Sequence, residues 1–248
     1  MPVIVADHDS ESGRVRVVRM NRPAARNAMN SEMLEALIAA LSDAAGDPEV
    51  GGVLITGASR TFSAGSDVHE QLADQGRRRT ELFTVLYDLL SNHPKPTAAA
   101  VEGSAIGGGA EVAASCDLRT AGRSAVFRFP GASYGVAVGA ARTIGLVGLG
   151  TAKDWVLSCR DVHAEEALRT GLVQRVVADG EAESTALDWL ALVIARDAAT
   201  VSRLKKTMNS FAGLPDRVAW ENDTLLADRE SVPRSGAFGI PRSVQSLE

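Results

Sequence analysis

The chain is poor in the residues that most often disclose a function unaided. Two cysteines in 248 residues, Cys116 and Cys159, are too few and too far apart for a disulfide framework or a thiolate zinc site. Cys116 lies among small apolar residues and reads as an inert buried thiol. Histidines and carboxylates form no group at metal-ligand spacing and HExxH is absent, so no metal site is expected. No segment approaches the roughly 18 uninterrupted apolar residues that span a membrane. The start, MPVIVADHDSESG, lacks a basic stretch followed by an apolar core, which sets the expectation of no secretory signal and of a cytoplasmic protein. A net charge of −5 gives no general attraction for nucleic acid. The dense basic run Arg77-Arg78-Arg79 reads as a solvated helix face. There is no internal repeat and no low-complexity segment.

What is present suits one compact enzyme domain with a helical appendage. Hydrophobic residues make up 45% of the chain, enough for a substantial core, and 23 glycines suit many tight strand-to-helix turns. Val15 to Met20 alternates basic and apolar residues, as a half-exposed strand does. Ser31 to Ala45 sets Met33, Leu34, Leu37, Ile38 and Leu41 at helical spacing behind a serine cap. Strand, helix and strand repeat through Val101, which argues an α/β core. Leu82 to Leu90 is a helical stretch that Asn92-His93-Pro94 ends. After Val177 the pattern changes to three successive helices, 181–196, 198–211 and 216–229, with apolar stripes and no strand between them. Leu190, Val193, Leu204, Met208 and Trp220 on these helices are more than an exposed appendage needs.

The richest segment is Thr97 to Glu111, TAAAVEGSAIGGGAE. It reads as a buried strand, a tight turn and a helix start at Gly107-Gly108-Gly109, with Glu111 in the first turn. Bare N–H groups at a helix start can hold an anion or a polarised carbonyl oxygen, and a carboxylate beside them can move a proton. The alternative is that the glycines only let the helix pack close and that Glu111 is an acid stabilised by the helix dipole. A phosphate loop fits less well, since neither Gly-Lys-Ser/Thr nor GxGxxG is present. A second turn of the same design follows Val53 to Thr56, where Gly57 ends the strand and Phe62 to Asp67 leads into a predicted helix capped by Asp67. Two elbows can give two backbone N–H groups to one oxygen.

Asn21-Arg22-Pro23 with Arg26-Asn27-Ala28, then Phe62-Ser63-Ala64-Gly65-Ser66-Asp67, Lys95-Pro96, Glu102-Gly103, Gly107-Gly108-Gly109-Ala110-Glu111 and Cys116-Asp117 resemble the crotonase, or enoyl-CoA hydratase/isomerase, family. The resemblance runs from about Val15 to Val177. It implies an α/β spiral of strand-strand-helix units over residues 1–180 that holds an acyl-CoA thioester. Residues 181–248 would form a helical region that covers a site and builds a homotrimer, often stacked into a hexamer. The last residues, with Ala237-Phe238 running into Gly239-Ile240-Pro241, depart from the family's usual ending.

By the same resemblance the N–H groups of Ser66 and Gly108 polarise the thioester carbonyl and Glu111 acts as acid and base. Ala25, Arg26, Ala64, Asp67, Gly107, Gly131 and Tyr134 would line the substrate site, and coenzyme A enters only as part of the substrate. A hydratase of the family uses a second glutamate, at the position of Gly131 in Phe129-Pro130-Gly131. The family's next turn is replaced by Val138-Gly139-Ala140-Ala141-Arg142. Ser133, Tyr134, His69 and Glu70 are the neighbours that could substitute, although His69 reads as facing solvent or the CoA body and Glu70 as a solvated helix residue. Arg26 or the arginine triplet could meet the nucleotide phosphates. The expectation is an acyl-CoA-processing enzyme of enoyl-CoA hydratase/isomerase type. A hydrolase or decarboxylase with one carboxylate, or a thioester-binding protein with little turnover, are the alternatives.

Overall fold

The protein, as a computed structural model, is described over residues 1–72, 74 and 76–231. The departure from the family ending at Ala237 to Pro241 therefore lies outside the described residues. Strands β1 (Val3–Ser10) and β2 (Gly13–Met20) form a hairpin, and helix α1 (Ser31–Gly46) leads to β3 (Val50–Gly57). A loop and α2 (Arg77–Ser91) lead to β4 (Thr97–Val101), short β5 (Ser104–Ile106) and α3 (Gly108–Ser115). β6 (Leu118–Gly122) and β7 (Val126–Arg128) precede α4 (Ala140–Val147) and α5 (Leu149–Ser158). β8 (Val162–His163), α6 (Ala164–Thr170) and β9 (Arg175–Val177) complete the sheets. α7 (Ala182–Ile194), α8 (Ala198–Phe211) and α9 (Leu214–Ser231) follow without an intervening strand.

The main sheet has the order β1-β2-β3-β4-β6-β9, parallel except for the β1-β2 hairpin, and β5-β7-β8 form a smaller one. Side chains alternate across a strand. Along β3, Val53 and Ile55 therefore enter one core with Leu34, Leu37 and Leu86, while Leu54 faces the other way. On that second face Val15, Val17, Ala98 and Ala100 meet Ala182, Ala186 and Leu190 of α7. A strand covered on both sides accounts for the run of small apolar residues in β4. The mixed α/β architecture and the C-terminal helices are those expected.

The cap of α1 is Asn30, whose side chain accepts the Met33 N–H at 3.0 Å, and not the serine expected; four further local readings change. β2 is buried across its middle, not half-exposed: Arg16 is surrounded by Asp7, Asp43 and Asp47, with Nη1 2.6 Å from Asp43 and Nη2 3.0 Å from Asp47. No helix follows Asp67, because α2 starts only at Arg77. The Asp67 carboxylate instead accepts the His69 N–H at 3.0 Å and pairs with Arg22 at 2.9 Å, a local turn that consumes its capping capacity. Arg79 is not a solvated member of its triplet: it is buried, donating to the Asp67 carbonyl and to Glu70 at 3.1 Å. Glu70 is thereby half-buried in a loop and also accepts the Ser31 N–H at 2.9 Å.

α8 is pinned by Lys205, whose Nζ lies 2.7 Å from Asp117 and 3.0 Å from the Lys95 carbonyl. Of the apolar residues noted on the last helices, Leu190 is fully buried and Val193 partly so. Leu204, Met208 and Trp220 are exposed, as is Phe211. Truncating Leu190 to Ala should thus act inside the subunit and cost about 2–5 kcal/mol of stability, measured as a lower urea midpoint at unchanged slope. A midpoint within error of wild type would remove α7 from the core.

Candidate active site

The two elbows fold against each other because each offers the other a strand edge. The N–H of Phe62 donates to the Glu102 carbonyl at 2.8 Å and that of Ser63 to the Ser104 carbonyl at 2.9 Å, while the Ile106 N–H returns to Ser63 at 2.9 Å. The far side of the first elbow is tied to the segment after the turn Pro23–Ala25. Ala64 donates to Arg26 at 2.9 Å, Met29 to Gly65 at 2.7 Å and Asp67 to Met29 at 2.9 Å. This pairing skips the Ser66 N–H, which has no acceptor among the described residues. Gly108 opens α3, where an N–H has no intrahelical partner. Gly65 sits at φ +90, and a Cβ there would lie 2.5 Å from the Ile106 carbonyl oxygen and 3.3 Å from the Gly108 nitrogen. Only glycine allows that approach.

Beside the elbows is a mostly apolar cavity of about 170 Å³. Ala64, Ser66, Gly107, Gly108, Gly131 and Tyr134 line it, with Val68, Phe83, Val138 and Leu225 among the apolar walls. Ala25, Arg26 and Asp67 do not. Arg26 is exposed and reaches the site only through its carbonyl, and Asp67 is held back by Arg22. His69 is exposed and Ser133 half-buried, and neither lines the cavity. Arg79 does, although its guanidinium is already engaged. A Cβ on Gly131 would sit 2.6 Å from the Val136 carbonyl oxygen and 3.0 Å from Val138 Cγ1, so this turn has no room for a glutamate.

Glu111 is buried and is not on the cavity wall, although it shares α3 with Gly108. Its Oε2 accepts a bond from Arg142 Nη1 at 2.9 Å, and the same nitrogen donates to Glu221 Oε1 at 2.6 Å. Glu221, on α9, also accepts the N–H groups of Gly139, Ala140 and Ala141 at 3.1, 2.9 and 3.0 Å. The Arg142 guanidinium lies 4.3 Å over the ring of Tyr87, which lines the cavity. Burial pushes the Glu111 carboxyl up to about 7; Arg142 opposes the rise and Glu221 adds to it. Burial, followed by the Glu111 charge, raises the Tyr87 phenol well above its usual 10.

Arg142, Glu221 and Tyr87 were not assigned roles from sequence. Arg142 was visible only as a departure from the family turn. Glu221 carried no signal, being one acid among several on a C-terminal helix. Cys116 is buried and its thiol pushed up to about 12 by burial, which fits an inert thiol. Among the described residues no group of three or more His, Cys, Asp or Glu side chains could hold a metal ion, and no helix is long and apolar enough to cross a membrane.

A family model described as enoyl-CoA hydratase/isomerase matches residues 10–224. The short-chain-enoyl-CoA hydratase of Clostridium acetobutylicum is 36% identical over 206 residues, covering 80% of this chain and 79% of its own. A crystal structure of an enoyl-CoA hydratase/isomerase from Xanthobacter autotrophicus Py2 superposes with a TM-score of 0.81 at 28% identity, covering 92% of this chain and 87% of that one. A monofunctional enoyl-CoA isomerase from M. smegmatis does so at 0.73 and 30%, covering 84% and 93%. Paired elbows, a glycine-rich helix start bearing one acid, and these matches along most of the sequence lead to one assignment: the chain belongs to the enoyl-CoA hydratase/isomerase family of the crotonase superfamily.

Proposed function

We propose that this enzyme processes an acyl-CoA thioester by holding its carbonyl oxygen between the N–H groups of Ser66 and Gly108 while Glu111 moves a proton at a neighbouring carbon. The observation that carries the reading is that Ser66 and Gly108, whose N–H groups have no acceptor among the described residues, both line one apolar cavity, where Gly65 packs closely beside Gly108. Negative charge developing on the thioester oxygen would be met by preorganised dipoles at the N-terminus of α3. The walls suit the acyl part, and coenzyme A enters only as part of the substrate.

The crowding at Gly131 argues against a two-glutamate hydration route. One carboxylate that takes a proton from one carbon and returns it to another is sufficient for double-bond migration and needs no positioned water. Decarboxylation or thioester hydrolysis would draw on the same hole. A binding protein with little turnover is the second reading. It is favoured by the engagement of Glu111 with Arg142 and by its absence from the cavity wall. The exposed Leu204, Met208, Phe211 and Trp220 support self-association through the C-terminal helices, as a homotrimer or hexamer.

A panel of enoyl- and acyl-CoA thioesters, followed by product analysis, identifies the reaction. On the thioester that turns over, Glu111→Gln should lower kcat by about 10²- to 10⁴-fold, whereas an unchanged rate would give the proton step to another group. Ser66→Ala keeps the backbone N–H and should leave the rate within a few-fold; a loss as large as that of Glu111→Gln would mean that the hydroxyl, not the N–H, does the work. Light scattering should give the mass of three or six subunits, and a monomer at micromolar concentration contradicts the assembly.

A further inference from the structure

The site has a second carboxylate, though not in the turn where the family resemblance places one. Glu221 comes from α9 and meets Glu111 at the same guanidinium nitrogen, Arg142 Nη1. The two acids are held differently. Glu221 is fixed on both oxygens, Oε1 by Arg142 and Oε2 by three N–H groups around the start of α4. Glu111 is bonded through Oε2 alone, and its Oε1 makes no hydrogen bond among the described residues. Arg142 is fully buried, with Nε and Nη2 unbonded, so its bonding to these acids passes through the one shared nitrogen.

We propose that Arg142 and Glu221 are positioning residues for Glu111: the guanidinium anchors Oε2 and leaves Oε1 without a hydrogen bond as the oxygen that takes the proton, and the α9 carboxylate offsets the guanidinium charge so that Glu111 is not locked in its ionised form. This rests on the reading of Glu111 as the proton-transfer group. A lone guanidinium beside a carboxylate holds it ionised, commonly by about 1–3 pH units below its usual range, and an acid so held is a poor proton acceptor at neutral pH. A second carboxylate on the same guanidinium cancels much of that pull. The charged and titratable groups facing Glu111 are Arg142 from α4, Glu221 from α9 and Tyr87 from α2. Burial above all raises Glu111 to about 7, with Arg142 opposing the rise and Glu221 adding to it. The site's second acid acts through Arg142 and need not touch substrate.

The test is a pH titration of the full chain labelled with ¹³C at glutamate carboxyls, in which the resonance missing from Glu111→Gln identifies Glu111. Removing the Glu221 charge with Glu221→Gln should move the Glu111 midpoint down by about one pH unit or more. Arg142→Gln should move it up, and Arg142→Lys, which keeps the charge, should leave it nearer wild type. For the thioester that turns over, the limb of the kcat profile assigned to Glu111 should move with the titration, while KM changes less than kcat. Circular dichroism checks that each variant is folded. Where one of the charge-removing variants does not fold, the other reads the same coupling with the opposite sign. A midpoint that stays put in a folded Glu221→Gln or Arg142→Gln overturns the inference. Unchanged turnover in Glu111→Gln sinks the functional reading instead, so the two failures are distinguishable.

Discussion

A guanidinium with no access to water persists in a protein only where its charge is answered, and Arg142 is answered twice, by Glu111 and Glu221. Desolvating three ionisable groups together is costly. Removing one partner of a buried pair typically costs about 3–5 kcal/mol, because the remaining charge is stranded. The cluster therefore constrains every element that carries a member. α3 must present Glu111, α4 must begin where Glu221 can cap it, and α9 must cross near both. Further bonds hold α9 in that crossing, with Arg217 Nε 3.0 Å from the Ala141 carbonyl and Asn222 Nδ2 3.2 Å from that of Thr84 on α2. Leu225, one turn beyond Glu221, then becomes part of the cavity wall. The ion cluster and the apolar wall are thus placed by the same helix.

The two elbows that line the cavity follow parallel strands of the main sheet, and ligands in such sheets usually bind beyond the carboxyl ends of the strands. β3 stops at Gly57 and β4 at Val101, and each is followed by an elbow segment before its next helix. Those turns pair with one another through Ser63 and Ala105, so the elbows form a small strand edge outside the main sheet. Pairing consumes alternate backbone groups and leaves others free, which is how the Ser66 N–H remains uncommitted without any special residue. Gly65 contributes by lacking a side chain, since any Cβ would push against the Ile106 carbonyl.

Much of this was legible because it is local. The apolar periodicity of α1, the small-residue strand β4 and the glycine-rich start of α3 each state their structure within a dozen residues. α8 matches its expected span at both ends, because Asp197 caps it and the apolar stripe is continuous. Errors arose where partners far away in sequence decide the outcome. Arg16 looked like the polar side of a half-exposed strand until three aspartates from two other segments closed around it. Arg79 looked solvated until the loop after Asp67 folded over it. Asp67 has the chemistry of a helix cap, but Arg22 and the His69 N–H compete for the same oxygens. Glu221 was invisible for the same reason: its meaning depends on Arg142, which the sequence shows only as a departure from the family turn until Tyr87 and the two acids are placed around it.

The proposed proton step moves charge over a short path within one field. Glu111 and the Gly108 N–H both belong to the first turn of α3, the positive end of its dipole. When an ionised Glu111 takes a proton from the substrate, its negative charge disappears and an equivalent charge appears on the thioester oxygen between Ser66 and Gly108. In that step the helix start would stabilise both the initial carboxylate and the final oxyanion, and the dipoles would need little reorientation between them. Arg142 favours the initial state, since it touches the carboxylate and not the hole. Glu221 weakens that preference by occupying the same nitrogen. In the proposed step a carboxylate on a distant helix would thereby shape the balance between base and oxyanion, although no substrate atom need come near it.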